Sequence, residues 1–435
     1  MRESPMVFKA FDDLDKPDME IIRDCVHCGF CLTSCPTYLQ TGNELDSPRG
    51  RIYLMRSAIE GKIPMGEAFV RHMDLCLGCL GCETACPSGV LYGRLIESVR
   101  AQIERRYRRP FLERLYRSVL FKVFPYPRRL GFLLPLLYLY QATGIRKLVQ
   151  SSGILGFSKR LLHMEGMLPS VESPFLSSNL PERIEPRGRR QFKVALLTGC
   201  IQSVFFHKTN LATVRVLVQN GCEVFIPRDQ VCCGALSLHS GRLSEAREFA
   251  RLNIRVFERE EVDAIVVNSA GCGSAMKEYG EILRGDRGYY ERGVRFSKKV
   301  KDISEFLAEV GLQGNLGELR LRVTYQDACH IAHAQRIKEQ PRKLIRQIPG
   351  IEFVELGESD ICCGSAGIYN LVEPDMSEKL LERKIFNLRR IKPQVLVSGN
   401  PGCLLQIGMG IRKNGLGIKT LHLVELLDLA YRNRS

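Results

Sequence analysis

The most informative segment of the chain is Cys25-Val-His-Cys28-Gly-Phe-Cys31-Leu-Thr-Ser-Cys35-Pro36, and its pattern recurs as Cys76-Leu-Gly-Cys79-Leu-Gly-Cys82-Glu-Thr-Ala-Cys86-Pro87. Both copies have the spacing C-x2-C-x2-C-x3-C-P. Three thiolates separated by two residues each can hold three corners of one cubane cluster, and the fourth lies beyond a tight turn. The chain therefore carries two complete sets of cluster-ligand spacing close to its N-terminus.

In two-cluster ferredoxins, which use this spacing, the fourth cysteine of each run ligates the other cluster. By that rule one [4Fe-4S] cluster takes Cys25, Cys28, Cys31 and Cys86, and the second takes Cys76, Cys79, Cys82 and Cys35. The alternative is structural zinc, which usually uses two C-x2-C pairs across a longer loop. Two copies of a four-cysteine run fit zinc poorly, so the sequence favours two [4Fe-4S] clusters.

The segment between the two motifs indicates the type of ferredoxin. Apolar residues recur at three-and-four spacing over residues 51–60 and 66–73, which predicts two helices. An insert of this size leaves little room for a compact hairpin ferredoxin, so we expect an α-helical one. Arg49 and Arg51 precede or begin the first helix, where they would screen cluster charge, contact a partner, or mark a plain helix start.

A basic, aromatic connector follows the second motif. Residues 94–129 contain 11 Lys and Arg against 3 Glu, which is more than half of the chain's net charge of +15. Basic amphipathic helices with aromatic residues favour anionic membrane surfaces. The alternatives are a helix that docks on a partner and a helix that packs within the chain. We expect no nucleic-acid binding, because no recognised binding motif accompanies the charge.

The second half of the chain is an internal duplication. Strand-like runs end near Cys200, Cys232-Cys233-Gly234 and Cys272, and the pattern returns at Cys329, Cys362-Cys363-Gly364 and Cys403 with shifts of 129 to 131 residues. Strands that alternate with helices predict parallel sheets, whose sites form at the carboxyl ends of the strands. Each half should therefore gather four thiols in one crevice.

These two quartets allow more than one interpretation. Four thiols could hold a further iron–sulfur cluster, act as redox thiols, or be small buried side chains with no ligand. Cys222 has no counterpart, since residue 352 is Glu352, and we interpret it as structural. His330 and His333 follow Cys329; either could be functional, although hydrogen-bonded structural histidines are more common.

Composition sets the cellular context. The chain has 435 residues, 17 Cys and 45% hydrophobic residues, which excludes wholesale disorder and a small disulfide scaffold. We find no pattern of a secretory signal at the N-terminus, and the apolar run 130–140 is too short to span a bilayer. We therefore expect a reducing, cytoplasmic environment, in which clustered cysteines indicate metal ligands or catalytic thiols.

The expected fold class is α + α/β, an N-terminal α-helical ferredoxin followed by a duplicated α/β cysteine-rich half. The expected boundaries are a ferredoxin over 1–100 and a connector and linker over 101–190, with its linker part at 166–191. Cys-Cys-Gly module 1 should span 191–315 and module 2 should span 316–435.

The chain resembles the iron–sulfur subunit of glycolate oxidase and its relatives. The residues that carry the likeness are Cys25-Val-His-Cys-Gly-Phe-Cys, Glu44-Leu-Asp-Ser-Pro-Arg-Gly-Arg-Ile-Tyr-Leu, Cys82-Glu-Thr-Ala-Cys-Pro-Ser-Gly-Val and Cys362-Cys-Gly-Ser-Ala-Gly-Ile-Tyr-Asn. The relatives include the lactate-utilisation iron–sulfur protein, a subunit of anaerobic glycerol-3-phosphate dehydrogenase, and heterodisulfide reductase. In the last of these the final cysteine of each module sits in a C-x2-C pair, which Ala275 and Gln406 interrupt here.

The resemblance implies an electron-transfer subunit of a glycolate oxidase or dehydrogenase. FAD-containing partner subunits would oxidise glycolate to glyoxylate, and this chain would pass electrons toward quinone at the cytoplasmic face of the inner membrane. The alternatives are the corresponding subunit of a lactate or glycerol-3-phosphate oxidase, or heterodisulfide-reductase-type thiol chemistry at the Cys-Cys-Gly modules. A cluster-bearing regulatory or nucleic-acid-binding protein is suggested only by the basic charge.

Overall fold

The computed structural model describes residues 8–171, 173, 175 and 180–433. Helices make up the N-terminal part: α1 (Met19–Arg23), α2 (Pro36–Thr41), α3 (Pro48–Ile59), α4 (Glu67–Asp74), α5 (Gly81–Thr84) and α6 (Tyr92–Arg106), with a 3₁₀ turn at Glu44–Asp46. Helix α3 begins where Ser47 accepts a hydrogen bond from the Gly50 amide and Pro48 occupies the first turn. The two helices predicted between the cysteine motifs are thus confirmed as α3 and α4.

Five further helices form the connector: α7 (Phe111–Val123), α8 (Pro127–Gly131), α9 (Leu134–Ala142), α10 (Ile145–Ser152) and α11 (Lys159–Gly166), with a 3₁₀ turn at Ile154–Phe157. Among the residues that the structure describes, no helix is both long and apolar enough to cross a membrane. Part of the predicted linker 166–191 and the N-terminal residues 1–7 lie outside the described residues.

Module 1 is built on a five-stranded sheet of order β1-β3-β2-β4-β5. Its elements are β1 (Arg183–Ile184), β2 (Phe192–Leu197), α12 (Cys200–Phe205), α13 (His207–Gln219), β3 (Cys222–Phe225), α14 (Ala235–His239), α15 (Leu243–Phe257), β4 (Ala264–Val267), α16 (Ala270–Lys277), α17 (Tyr279–Ile282), α18 (Tyr290–Lys299), β5 (Val300–Asp302) and α19 (Ile303–Val310). Only β1, a two-residue edge strand inside the predicted linker, pairs antiparallel.

Module 2 is built on a four-stranded parallel sheet of order β7-β6-β8-β9. Its elements are β6 (Arg322–Tyr325), a π-helical turn at His330–Ala334, α20 (Glu339–Arg346), β7 (Glu352–Phe353), α21 (Tyr369–Val372), α22 (Pro374–Ile391), β8 (Val395–Ser398), α23 (Pro401–Lys413), β9 (Lys419–His422) and α24 (Leu423–Arg432). Without β1, the two sheets have the same strand order, as the duplication predicts. The predicted α + α/β fold class is confirmed.

The two modules share one core. Val194 and Val266 of the first sheet and Val323 and Val397 of the second belong to the same buried cluster. Helix α13 of module 1 packs on α24 of module 2, and α19 packs on α20. A bidentate ion pair between Arg215 and the buried Asp428, with N–O distances of 2.8 and 2.7 Å, also crosses this boundary.

Candidate iron–sulfur sites

One cavity of the ferredoxin part is lined by Cys35, Cys76, Cys79 and Cys82. Cys35 comes from the first motif and the other three from the second, so the structure brings together the crossed set that the spacing predicts. The part of the chain that the structure describes contains no group of three His, Cys, Asp or Glu side chains placed to hold a single metal ion. A cubane presents four separate iron atoms, so its thiolates need to surround a cavity rather than converge on one point.

A buried guanidinium stands beside this cavity. Arg51 is 1% exposed, and it donates to the Thr37 hydroxyl at 3.1 Å and to the His72 carbonyl at 2.7 Å. Burial acts to raise the pKa of the Cys76 thiol, but the charges of Arg51 and Arg100 lower it below its ordinary value. A cation in this position offsets part of the negative charge that four thiolates bring to a cluster. Arg51 therefore joins α3 to α2 and α4 through these bonds and carries its charge beside the Cys76 thiol.

The other four ferredoxin cysteines lie nearer the surface. The Cys25 thiol is within electrostatic range of Cys86 and Cys28, and Cys31 is within range of Cys25. Cys28 is exposed, whereas burial raises the pKa of Cys31 to about 11. This group is consequently the more accessible of the two to an external electron donor.

The motif loops need left-handed backbone at matching places. Gly29 has φ +87°, and a Cβ there would lie 2.8 Å from Nη1 of Arg49, which donates to the His27 carbonyl at 3.0 Å. In the second motif the same position is Leu80, at φ +61°. The side chain of Arg49 thus ties the loop of the first motif to the start of α3.

Residues 75–84, which carry three cysteines of the second motif, pack directly on module 2. The Tyr369 hydroxyl donates to the Leu75 carbonyl at 2.9 Å. Nδ1 of His333 and the Thr84 hydroxyl are 2.7 Å apart, and Nε2 of His333 is 3.0 Å from the Asp360 carbonyl oxygen. Since burial lowers the pKa of His333, the neutral ring donates through Nε2 and accepts from Thr84.

This contact joins thiols of the two parts of the chain. Cys79 and Cys329 belong to one apolar cluster, together with Cys362. Burial raises the pKa of Cys79 well above its ordinary value, and the neighbouring Cys329 thiol makes the next largest contribution to that rise. The cavity framed by the second motif is therefore adjacent to the thiol quartet of module 2.

Each predicted quartet is gathered in its module. In module 1 the Sγ atoms of Cys200 and Cys232 are 3.5 Å apart, and Cys233 interacts with both Cys232 and Cys272. In module 2 the corresponding interactions join Cys329 to Cys362, Cys362 to Cys363, and Cys363 to Cys403. Four contiguous thiols in each module can hold a cluster or carry out thiol redox chemistry.

The two quartets differ in charge. A Cβ on Gly234 would meet Ala246 of α15 at 3.4 Å and one on Gly364 would meet Ser377 of α22 at 2.7 Å, which aligns the two helices with a shift of 131 residues. With that shift, Asn253 of module 1 corresponds to Lys384 of module 2.

Both residues bond to the loop before the cysteine pair, Asn253 to the Val231 amide at 3.1 Å and Lys384 to the Glu358 carbonyl. Hydrogen bonds from Cys362 and Cys403 chiefly lower the pKa of Cys363, and the Lys384 ammonium adds to that shift. Module 2 therefore has a buried cation beside its thiols where module 1 has a neutral amide.

The duplicated loops also face different neighbours. In module 2 the π-helical turn after Cys329 contacts the ferredoxin, through His333. In module 1 the equivalent segment is α12, whose Val204 packs with Leu130 and Leu134 of the connector. The first cysteine of module 2 thus lies at the ferredoxin and that of module 1 lies beside the connector.

His330 joins all three parts of the chain. Its ring stacks on His239 with centroids 4.6 Å apart, and Nδ1 of His239 is 2.8 Å from a carboxylate oxygen of Glu97. Burial lowers the pKa of His239 to about 4 and that of His330 to about 3, and burial raises the pKa of Glu97 to about 7. Both rings are therefore neutral near neutral pH.

Cys222 stands apart from both quartets. It lies at the start of β3, fully buried in the shared core, and burial raises its pKa to about 12. Sequence reasoning identified the cysteines but assigned no role to Lys384, Tyr369 or Thr84. Thr84 and Tyr369 lie in the stretches that carry the family resemblance, and aligning the two halves reveals Lys384 in place of Asn253.

Helices that wrap a two-motif cysteine set, followed by twin parallel sheets that each present four thiols, define an iron–sulfur electron-transfer protein. Family models match along most of the chain: a 4Fe-4S dicluster domain over 21–90, the linker region of glycolate oxidase iron–sulfur subunits over 112–168, and a cysteine-rich domain over 194–277 and 323–408.

Comparison of the whole chain with individual proteins indicates the same family. The chain is 40% identical to the probable glycolate oxidase iron–sulfur subunit of Bacillus subtilis (strain 168), covering 95% of each protein. It is 32% identical to the glycolate oxidase iron–sulfur subunit of Escherichia coli (strain K12), covering 94% of each. The chain belongs to the family of glycolate oxidase iron–sulfur subunits.

Among solved structures, a crystal structure of a hypothetical protein from Helicobacter pylori covers 94% of this chain, and the match covers 72% of that protein. The TM-score is 0.57 at 10% sequence identity, so this likeness concerns the fold alone. Together with the family, it supports the architecture described above.

Proposed function

We propose that this chain is the electron-transfer subunit of a glycolate oxidase or dehydrogenase and contains no hydroxyacid site itself. The observation that carries the proposal is that Cys79 and Cys329 belong to one apolar cluster and lie within electrostatic range of each other, which places a second thiol group beside the ferredoxin. FAD-containing partner subunits would oxidise glycolate to glyoxylate. Flavin reduction supplies two electrons, and iron–sulfur centres pass them on singly.

The proposed ligands are those that the spacing predicts. Cys25, Cys28, Cys31 and Cys86 would hold cluster one, and Cys76, Cys79, Cys82 and Cys35 would hold cluster two. The exposed Cys28 suits cluster one to the entry of electrons, and the contact with module 2 suits cluster two to their exit.

We also propose that the quartet Cys329, Cys362, Cys363 and Cys403 receives electrons, as a third cluster or as redox thiols. The buried Lys384 supports this, since a cation stabilises either an anionic cluster or a thiolate. The quartet Cys200, Cys232, Cys233 and Cys272 would follow it in the path. The functional units would be 1–100, 101–190, 191–315 and 316–435.

The connector is proposed to attach the protein to the cytoplasmic face of the inner membrane, where quinone would accept the electrons. Large apolar side chains stand out from it, with exposures of 66% for Phe111, 77% for Leu112, 80% for Phe132 and 68% for Leu136. The same segment is strongly basic. Apolar insertion combined with basic charge is the usual means of peripheral binding to anionic lipid.

The test is anaerobic reduction of the clusters by substrate. The proteins that copurify with this chain are mixed with glycolate, and the clusters are followed by EPR. Reduction by glycolate supports the proposal, whereas reduction only by lactate or glycerol 3-phosphate would favour the related oxidases. Disulfide reduction without a flavoprotein would instead favour heterodisulfide-reductase-type chemistry.

A further inference from the structure

A second cavity, of about 430 Å³, lies where the connector meets both modules. Its volume is within the range of small-molecule sites. Leu134 of α9, Val204 and Phe205 of α12, and Leu404 and Leu405 of α23 form an apolar wall. The cavity is separate from the one framed by the ferredoxin cysteines.

Two arginines stand at the polar side of this cavity. Arg146 donates to the buried Glu165 at 2.8 Å, and Arg412 donates to the Gly166 carbonyl at 2.9 Å. A guanidinium has five N–H donors, so each arginine has donors beyond these bonds. A ligand with carbonyl oxygens at one end and an apolar body matches the two sides of the cavity.

The cavity lies next to both thiol quartets. Helix α12 begins at Cys200, one helical turn before Val204, and Leu404 directly follows Cys403 in α23. Cys403 interacts with Cys363 in the quartet that reaches the ferredoxin through Cys329. The interacting thiols of module 2 thus extend from Cys329, which shares an apolar cluster with Cys79, to Cys403, which directly precedes Leu404 of the cavity wall.

The outer side of the same cavity wall is apolar. Leu134 is 3% exposed, but Leu133, Leu136 and Leu139 of the same segment are 45%, 68% and 54% exposed. An apolar tail that leaves the cavity along α9 would therefore remain against apolar surface.

We propose that this cavity binds the head group of a quinone, an inference that rests on the proposed electron-transfer function. Two reduced clusters would each give up one electron and return to the oxidised state. With those two electrons and two protons from water, the quinone would become a quinol. Arg412 and Arg146 hydrogen-bond the carbonyl oxygens and stabilise the negative charge that develops on them.

Binding is measured on the full cluster-bearing chain without any partner subunit. The chain has no tryptophan, so Phe205→Trp places a single tryptophan in the cavity wall, and its fluorescence can be excited selectively over that of the 14 tyrosines. We expect saturable quenching of this fluorophore by menadione. In the matched control Phe386→Trp, at a side chain that is 61% exposed on module 2, quenching should rise only linearly. Adding Arg412→Gln to Phe205→Trp should weaken binding about tenfold.

Linear quenching in both variants would overturn the proposal. Saturation by phosphatidylglycerol vesicles that menadione does not displace would also overturn it, since the cavity would then bind a lipid head group. Glycolate and partner subunits are absent from this measurement. A failure of the proposed glycolate function therefore leaves its result readable, and menadione binding can fail while glycolate still reduces the clusters.

Discussion

At the scale of single residues, replacing a cluster-ligand cysteine and replacing the buried structural cysteine should have different effects on iron content. Cys79→Ser removes a thiolate from the cavity of the second motif, so we expect the loss of one EPR signal and of about half of the iron, since each cluster holds four irons. Cys222→Ser is the matched control, because Cys222 is buried in the core away from both quartets. Loss of a cluster in Cys222→Ser would show that the ligands are misassigned.

The buried charge of Arg51 should raise the reduction potential of cluster two. Arg51→Met removes the cation beside Cys35 and Cys76, so adding an electron to cluster two becomes less favourable. We expect its midpoint potential to fall by roughly 50–100 mV, which corresponds to about 1–2 kcal/mol for one electron.

The control for Arg51→Met is Arg56→Met on the same helix, where the side chain is 55% exposed and pairs with Glu60. An EPR-monitored redox titration of both variants reports the shift. Equal potentials in the two variants would mean that Arg51 has no electrostatic effect on the cluster.

At the scale of elements, the packing of α6 on α14 should depend on pH through Glu97. Its folded-state pKa of about 7 exceeds the ordinary glutamate value, so the folded protein binds the proton more tightly than the unfolded chain. Stability from this group is therefore complete below about pH 4 and is lost as pH rises through about 7, by roughly 3 kcal/mol in total. Glu97→Gln should remove this dependence.

The measurement is the anaerobic unfolding temperature of both proteins at pH 6 and pH 8. We expect the unfolding temperature of Glu97→Gln, relative to that of the parent, to be higher at pH 8 than at pH 6. A glutamine at position 97 can still hydrogen-bond to His239. A change in unfolding temperature would therefore report the missing ionisation and not a missing hydrogen bond. An identical pH response in parent and variant would contradict the assignment of this proton.

Membrane binding should depend on the exposed apolar side chains of the connector. Replacing the exposed Leu136 and Leu139 of α9 by Asp places charge on an apolar surface without disturbing the core. We expect binding to phosphatidylglycerol vesicles to fall at least tenfold in a sedimentation assay. Leu14→Asp, at a side chain that is 61% exposed on the ferredoxin part, should bind as the parent does. Equal loss in the control would point to net charge instead of apolar contact.

At the scale of the whole molecule, the sequence predicts the parts better than their arrangement. The cysteine spacing is local, so it indicates both the ferredoxin and the module duplication. The contacts of Thr84 with His333 and of Leu75 with Tyr369 span 249 and 294 residues of sequence. No periodic pattern in the sequence predicts contacts over such separations.

The asymmetry between the modules is similarly hidden in the sequence. The segments after Cys200 and Cys329 occupy equivalent places, yet one packs on the connector and the other on the ferredoxin. That difference arises from packing among three parts of the chain. It gives the duplicated modules distinct places in the proposed electron path.

In the proposed function, electrons pass from glycolate through a flavoprotein into the clusters of this chain. The most direct measurement is an anaerobic EPR spectrum of the copurified complex before and after addition of glycolate, with iron and sulfide counted in the same sample. We predict at least about eight irons per chain, in two [4Fe-4S] clusters, and reduced-cluster signals that appear with glycolate. Zinc in place of iron, or full clusters that glycolate leaves oxidised in the presence of the flavoprotein, would rule out this electron path.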